Sequence, residues 1–151
     1  MRTIKIYVAL SLVAFILNLG WEHLMLPLYS GYAALGSGWR LNVWAAGWDV
    51  FYVLVITVLV ALQKRDKEWM LKQRARDFST SALLAFLVAL FVEYKALYLG
   101  RWGYSPLMPI IPLLGVGLTP VIQMSVLAPF SAWAATLVEK RFLVYSQHES
   151  I

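Results

Sequence analysis

Three isolated carboxylates, Glu22, Asp49 and Glu93, stand inside three separate stretches that are otherwise apolar enough to cross a bilayer. An acidic side chain in hydrocarbon costs about 2.5–3.5 kcal/mol even on the most lenient insertion scale. Each acid therefore has to face protein or a polar chamber and not acyl chains. A fold that gathers all three in one chamber offsets the three penalties together.

The rest of the chain has the character of a membrane protein. Hydrophobic residues make up 61% of the 151 positions and charged residues 14%, against about 25% charged in soluble domains. The mean hydropathy is +0.69. The length suits a single transmembrane domain over residues 1–151. With no cysteine, disulfides and thiolate metal sites are excluded. The net charge of +5 does not point to nucleic acid. The basic residues flank apolar spans, where they set topology and anchor anionic lipid.

Runs long enough to cross, about 20 residues at 1.5 Å per residue, occur over residues 4–27, 43–63, 79–99 and 113–138. The predicted fold is an all-α, polytopic four-helix bundle. Between the second and third spans, residues 64–77 hold six basic and three acidic residues. This segment reads as a solvated connector whose Trp69, Met70 and Leu71 dip into the interface, with docking of a partner or anionic lipid as the alternative. Ten of the thirteen Lys and Arg residues fall on one side of the four spans. The basic-residue rule then puts both termini in the cytoplasm of a multi-pass cell (inner) membrane protein. Arg2 and Lys5 precede an apolar run in the manner of a signal peptide. No small-x-small cleavage site follows, so an uncleaved first span is expected.

This orientation brings the acids to similar depth. Glu22 lies near the outer end of its helix, Asp49 roughly 9 Å below the outer face, and Glu93 in the outer half. Helical phase adds neighbours. Leu10, Ala14, Asn18 and Glu22 form one stripe, and Ala45, Asp49 and Tyr52 another. Ala82, Ala85, Ala89, Glu93 and Ala96 form a third, whose small residues permit close helix approach. A Tyr52 phenol one turn from Asp49 is placed to hydrogen-bond it.

The entry to the fourth span is rich in Pro and Gly. Prolines at 106, 109 and 112 favour an extended, polyproline-like connector. Gly115, Gly117 and Pro120 predict a broken or re-entrant segment, tolerated at membrane depth only beside protein or a cavity. Thr119 and Gln123 are expected to face the acids. Lys95 and Arg101 are the nearby cations. Trp21, Trp39, Trp44, Trp48, Trp102, Tyr29, Tyr32, Tyr98 and Tyr104 read mainly as an interfacial belt, with a subset lining a pocket for an apolar or cationic ligand.

A buried carboxyl that keeps its proton can act as a general acid. One paired with Arg101, His23 or Lys95 stays ionised and serves packing. Glu22, Asp49 and Glu93 are thus the candidate catalytic acids. Asn18, Tyr52, Arg101, Trp102, Tyr104 and Gln123 are the candidate binding residues. A metal site from Glu22, His23, Asp49 and Glu93 has little support, because His23 lies on a different face from Glu22 and no His-x-x-x-His or Glu-x-x-His spacing occurs. His148 falls in the polar tail. No phosphate loop, dinucleotide fingerprint or Gly-x-Ser-x-Gly is present, so no cofactor is expected.

The elements Trp21-Glu22, Pro27-Leu28-Tyr29 and the block from Arg101-Trp102-x-Tyr104-Ser105 through Met108-Pro109, Pro112, Gly115-x-Gly117-Leu118, Pro120 and Gln123 resemble a group of small bacterial four-span integral membrane proteins that carry no assigned activity. The resemblance implies the class and no reaction. A fainter similarity, in acids within spans and in Glu93 followed by Gly100-Arg101-Trp102-x-Tyr104, links the chain to membrane-embedded carotenoid and meroterpenoid cyclases. Those proteins use intramembrane acids to protonate polyprenyl substrates. The Pro-x-Glu-Glu motif of the bacterial lycopene cyclases is absent. The leading expectation is an acidic pocket in the outer half of the bilayer that binds or acts on a lipid-soluble, isoprenoid-like molecule. A proton-coupled transporter and a membrane assembly or interaction subunit, alone or as an oligomer, are the alternatives.

Overall fold

The computed structural model describes residues 2–31 and 39–148, with side chains placed as far as residue 141. Tyr32 and the side chain of His148 lie outside what it describes. Four helices make up the fold: α1 (Arg2–Met25), α2 (Trp39–Lys64), α3 (Ala75–Tyr98) and α4 (Leu118–His148). All four are long and apolar enough to cross a membrane. At 1.5 Å per residue, 24 residues reach about 36 Å, beyond the roughly 30 Å hydrocarbon core.

The distribution of side chains across the bundle agrees with a lipid surround. Ile4, Val8, Leu12 and Ile16 recur every four residues along α1 and are all exposed, as are Leu83, Leu87 and Phe91 along α3. The interior is built largely of smaller groups, including Ala14, Ala46, Ala85, Ala89, Ala128, Ala132 and Ala135. A helix in water places its polar face outward. Here many large apolar side chains face out, while alanines and the polar Asn18, Glu93 and Gln123 face in beside a core of Ile6, Leu10, Val53, Ile56 and Val60. That is the packing of an integral membrane protein, where small residues let backbones approach.

The helices form a ring in which α1 packs on α2 and α4, and α3 packs on α4; the α2–α3 seam is the sparsest. At the end rich in basic residues, Asp77 in the first turn of α3 accepts from the Arg74 backbone N–H (3.0 Å) and from Lys64 at the end of α2. Residues 69–72 depart from expectation. Trp69 and Met70 are not part of a solvated connector but are buried in the bundle, each 1% exposed. Trp69 donates Nε1–H to the Thr57 carbonyl at 3.2 Å, and the Lys64 ammonium stands 5.8 Å from the ring centroid. This turn, Trp69–Lys72, closes the basic end of the bundle. Burying an indole here removes more apolar area from water than an interfacial position would. Arg2 and Glu139 (2.8 Å) tie α1 to α4 at the same end.

At the opposite end, two short strands, β1 (Tyr29–Ser30) and β2 (Gly103–Tyr104), pair antiparallel, with Tyr29 opposite Tyr104. They join the exits of α1 and α3 into a cap. The connector after β2 is turned and not polyproline-like, since Met108 N–H returns to the Ser105 carbonyl at 3.0 Å. Residues 109–118 form a hairpin, closed by Ile111 N–H to Val116 O (2.9 Å) and Leu118 N–H to Pro109 O (2.7 Å). Gly115 takes φ +66° in its turn, a conformation glycine adopts without steric cost. The fourth helix therefore starts at Leu118 and not at 113. The hairpin satisfies its own backbone groups, and the helix begins after it.

Candidate functional site

Gln123, one turn into α4, is the hub of the polar interior. It is 4% exposed. Its Nε2 lies 3.1 Å from Asn18 Oδ1, 2.9 Å from Glu22 Oε1 and 3.0 Å from Asp49 Oδ2. Side chains from α1, α2 and α4 thus meet at one carboxamide. Glu22 Oε1 and Asp49 Oδ2 flank the same amide nitrogen. Asn18 is fully buried and donates its own Nδ2–H to the Ala14 carbonyl (2.8 Å), which fixes its Oδ1 towards Gln123.

Glu93 enters from α3 and is 3% exposed. It accepts hydrogen bonds from the Tyr104 hydroxyl and, over a longer 3.5 Å, from Trp102 Nε1. Both donors belong to the cap, so the β1–β2 pairing positions them. Gly117 makes that position available: a Cβ there would stand 3.0 Å from Met108 Sδ and 3.1 Å from Tyr104 Cε1. Burial pushes the Tyr104 phenol well above its ordinary range, and its bond to Glu93 adds to the shift. Tyr104 accordingly remains a hydrogen-bond donor at neutral pH.

These groups surround a cavity of about 410 Å³ between α2 and α3, lined by Glu22, Asp49, Glu93 and Gln123. Such a volume is in the range of small-molecule sites. Its apolar walls include Trp44, Trp48, Ala89 and Met124, and Lys95, Arg101 and Trp102 also contribute. Along α2 an aromatic ladder runs from Trp44 to Trp48 (centroids 5.9 Å apart) and on to Tyr52 (6.3 Å). Tyr52 lines the cavity but makes no hydrogen bond to Asp49 among the described residues. Thr119 likewise does not reach the acids; its hydroxyl points to Met108 Sδ at 3.1 Å. His23 is exposed and its Nδ1 lies 3.4 Å from Asn42 Nδ2. No grouping of three or more His, Asp or Glu suited to a metal ion occurs among the described residues.

Three contributors to the site stand apart from the expected binding set. Trp44 and Trp48 read as belt residues in the sequence, although their spacing of four, continued to Tyr52, is a helical-face signal that extends to the acid pair. Tyr29 lines the cavity because it pairs with Tyr104, 75 residues away, and no local pattern encodes that. The cation positions are informative too. Lys95 and Arg101 line the cavity yet are exposed. The ion pairs among the described residues, Arg2–Glu139 and Lys64–Asp77, involve neither of them. No family model, curated protein or solved structure matches the chain, so the geometry carries the functional argument.

Proposed function

We propose that this multi-pass membrane protein binds a lipid-soluble molecule in the cavity between α2 and α3, with the polar end of the molecule among Glu22, Asp49 and Glu93 and an acyl or isoprenoid-like body along the Trp44–Trp48 face. The observation that carries this reading is the convergence of four helices' polar side chains on one partly apolar cavity. Asn18 and Gln123 hold the acid pair, Trp102 and Tyr104 hold Glu93, and Tyr52 and Arg101 complete the lining. A proton on the Glu22–Asp49 pair would be available to a bound ligand, so the same arrangement supports general-acid chemistry. The excess of Lys and Arg within residues 64–77 and near both termini favours cytoplasmic termini, and with them an outer-half position for the cavity.

The burial of Trp69 and Met70 at the basic end counts against a continuous path for transport. The sparse α2–α3 seam instead favours entry from the side, out of the lipid.

Mass spectrometry of small molecules that co-purify with the protein tests the proposal. Wild type is expected to carry a hydrophobic molecule that Glu22→Gln and the cavity-filling Ala45→Phe both deplete. Identical profiles from all three would leave the acids a packing role only.

A further inference from the structure

Five charged side chains line the cavity: Glu22, Asp49, Glu93, Lys95 and Arg101. Opposite charges around one small chamber would ordinarily pair. Here no acid lies within ion-pair distance of Lys95 or Arg101 among the described residues. The charges are segregated by depth. Glu93 is 3% exposed and Glu22 and Asp49 are partly buried, whereas Lys95 and Arg101 are exposed. The chamber is therefore acidic inside and basic at its rim. Lys95 extends along α3, with its ammonium 5.9 Å from the Phe91 ring centroid, away from the acid two residues earlier.

The hydrogen bonds inside the chamber show a second imbalance. The Gln123 amide has two N–H groups, but three acceptors stand within 3.1 Å of its nitrogen. Around Glu22 and Asp49 the acceptors outnumber the N–H groups that Gln123 can offer. A ligand that supplies N–H groups deep in the cavity and an anion near its mouth would correct both imbalances.

Resting on the ligand-pocket reading above, we infer that the occupant carries an ammonium-phosphate zwitterion, the headgroup of an ethanolamine phospholipid. Its ammonium lies among Glu22, Asp49 and Glu93, its phosphate against Lys95 and Arg101, and its acyl chains leave through the α2–α3 seam along Trp44 and Trp48. An ammonium has three N–H donors, where a quaternary amine has none. The guanidinium of Arg101 suits a phosphate oxygen pair. An ammonium facing aromatic rings gains further attraction.

Quenching of tryptophan fluorescence tests this on the full chain in maltoside micelles, using phospholipids with brominated acyl chains. Saturable quenching by the ethanolamine lipid is expected at concentrations about tenfold lower than for choline or glycerol headgroups. Lys95→Gln and Arg101→Gln, which remove the partners of the phosphate, should weaken all three lipids about tenfold, whereas Glu22→Gln with Asp49→Asn, which remove the partners of the ammonium, should erase most of the ethanolamine preference. Lys95→Arg, which keeps the charge, should retain both affinity and preference and control for folding. Displacement of the brominated lipid by free phosphoethanolamine would assign the site to the soluble zwitterion; resistance would assign it to the lipid, and both support the headgroup chemistry. Equal binding of all three headgroups, or tighter binding of a neutral isoprenoid alcohol, would overturn the zwitterion while keeping the pocket. Absence of saturable quenching by every lipid and by the alcohol would overturn the pocket itself.

Discussion

Replacing Gln123 by Leu removes the donor shared by three helices while nearly conserving volume. The carboxamide supplies two N–H groups to acceptors on Asn18, Glu22 and Asp49, so the variant forfeits two interhelical hydrogen bonds. Such bonds inside membrane bundles are worth about 0.6 kcal/mol on average and reach about 1.7 kcal/mol. Charge assistance from a carboxylate puts this pair in the upper part of that range. The expected loss is about 1–3 kcal/mol, measured as the change in unfolding free energy on titration from mild micelles into dodecyl sulfate. A double-mutant cycle sharpens the test. Removing both partners of a buried bond costs less than orphaning one, so Asn18→Leu and Gln123→Leu together should destabilise by roughly 0.5 kcal/mol less than the sum of the singles. The lipid-facing Ile122→Leu serves as the neutral control. If Gln123→Leu unfolds within about 0.3 kcal/mol of wild type, the hub does not hold the bundle and the reasoning fails.

Three other expectations concern the two ends of the molecule. Gly117→Ala should destabilise by about 1–3 kcal/mol, because its Cβ would press on Met108 and Tyr104; Gly20→Ala, with nothing within 4 Å of the new methyl, should be neutral or slightly stabilising in the same assay. Trp69→Ala should cost about 3–5 kcal/mol, whereas Trp69→Phe, which keeps a six-membered ring but loses the pyrrole and its bond to Thr57, should cost less, about 1–3 kcal/mol; equal effects would mean that the ring is not packed. The absence of native cysteine allows clean topology mapping. An impermeant maleimide added to intact cells should label Leu107→Cys and leave Lys67→Cys unlabelled until the membrane is opened, and the reverse pattern would invert the orientation.

The helical scaffold was largely legible because hydrophobic length is a local property. Each run is long enough to cross, and Ala85, Ala89, Glu93 and Ala96 announce their shared face by spacing alone. The small stripe and the acid on it are read by the same periodicity, which is why α3 presented little ambiguity. The start of α4 was less legible. Leu113 and Leu114 extend the apolar run, but the hairpin that absorbs them depends on Ile110 and Ile111 pairing across to Val116 and Gly117. Hydropathy does not distinguish a greasy hairpin from a helix. The partners of Glu93 were hidden for a similar reason, because Trp102 and Tyr104 reach it through a strand pair made with a segment some 75 residues earlier. Trp69 sits among charges, and that composition favours a solvated loop. Its burial depends on a seat formed by helices α2 and α4, which no window of sequence around it contains.

That seat has a practical corollary. The segment around Trp69 has the densest run of Lys and Arg in the chain, so in a loosely associated bundle it would be the first place trypsin cuts. Once the indole is lodged against Thr57, the peptide bonds on either side of it lose the freedom a protease needs. Resistance to digestion at Lys67 and Lys72 thus becomes a direct gauge of whether the four spans have come together, readable on a gel without any ligand or activity.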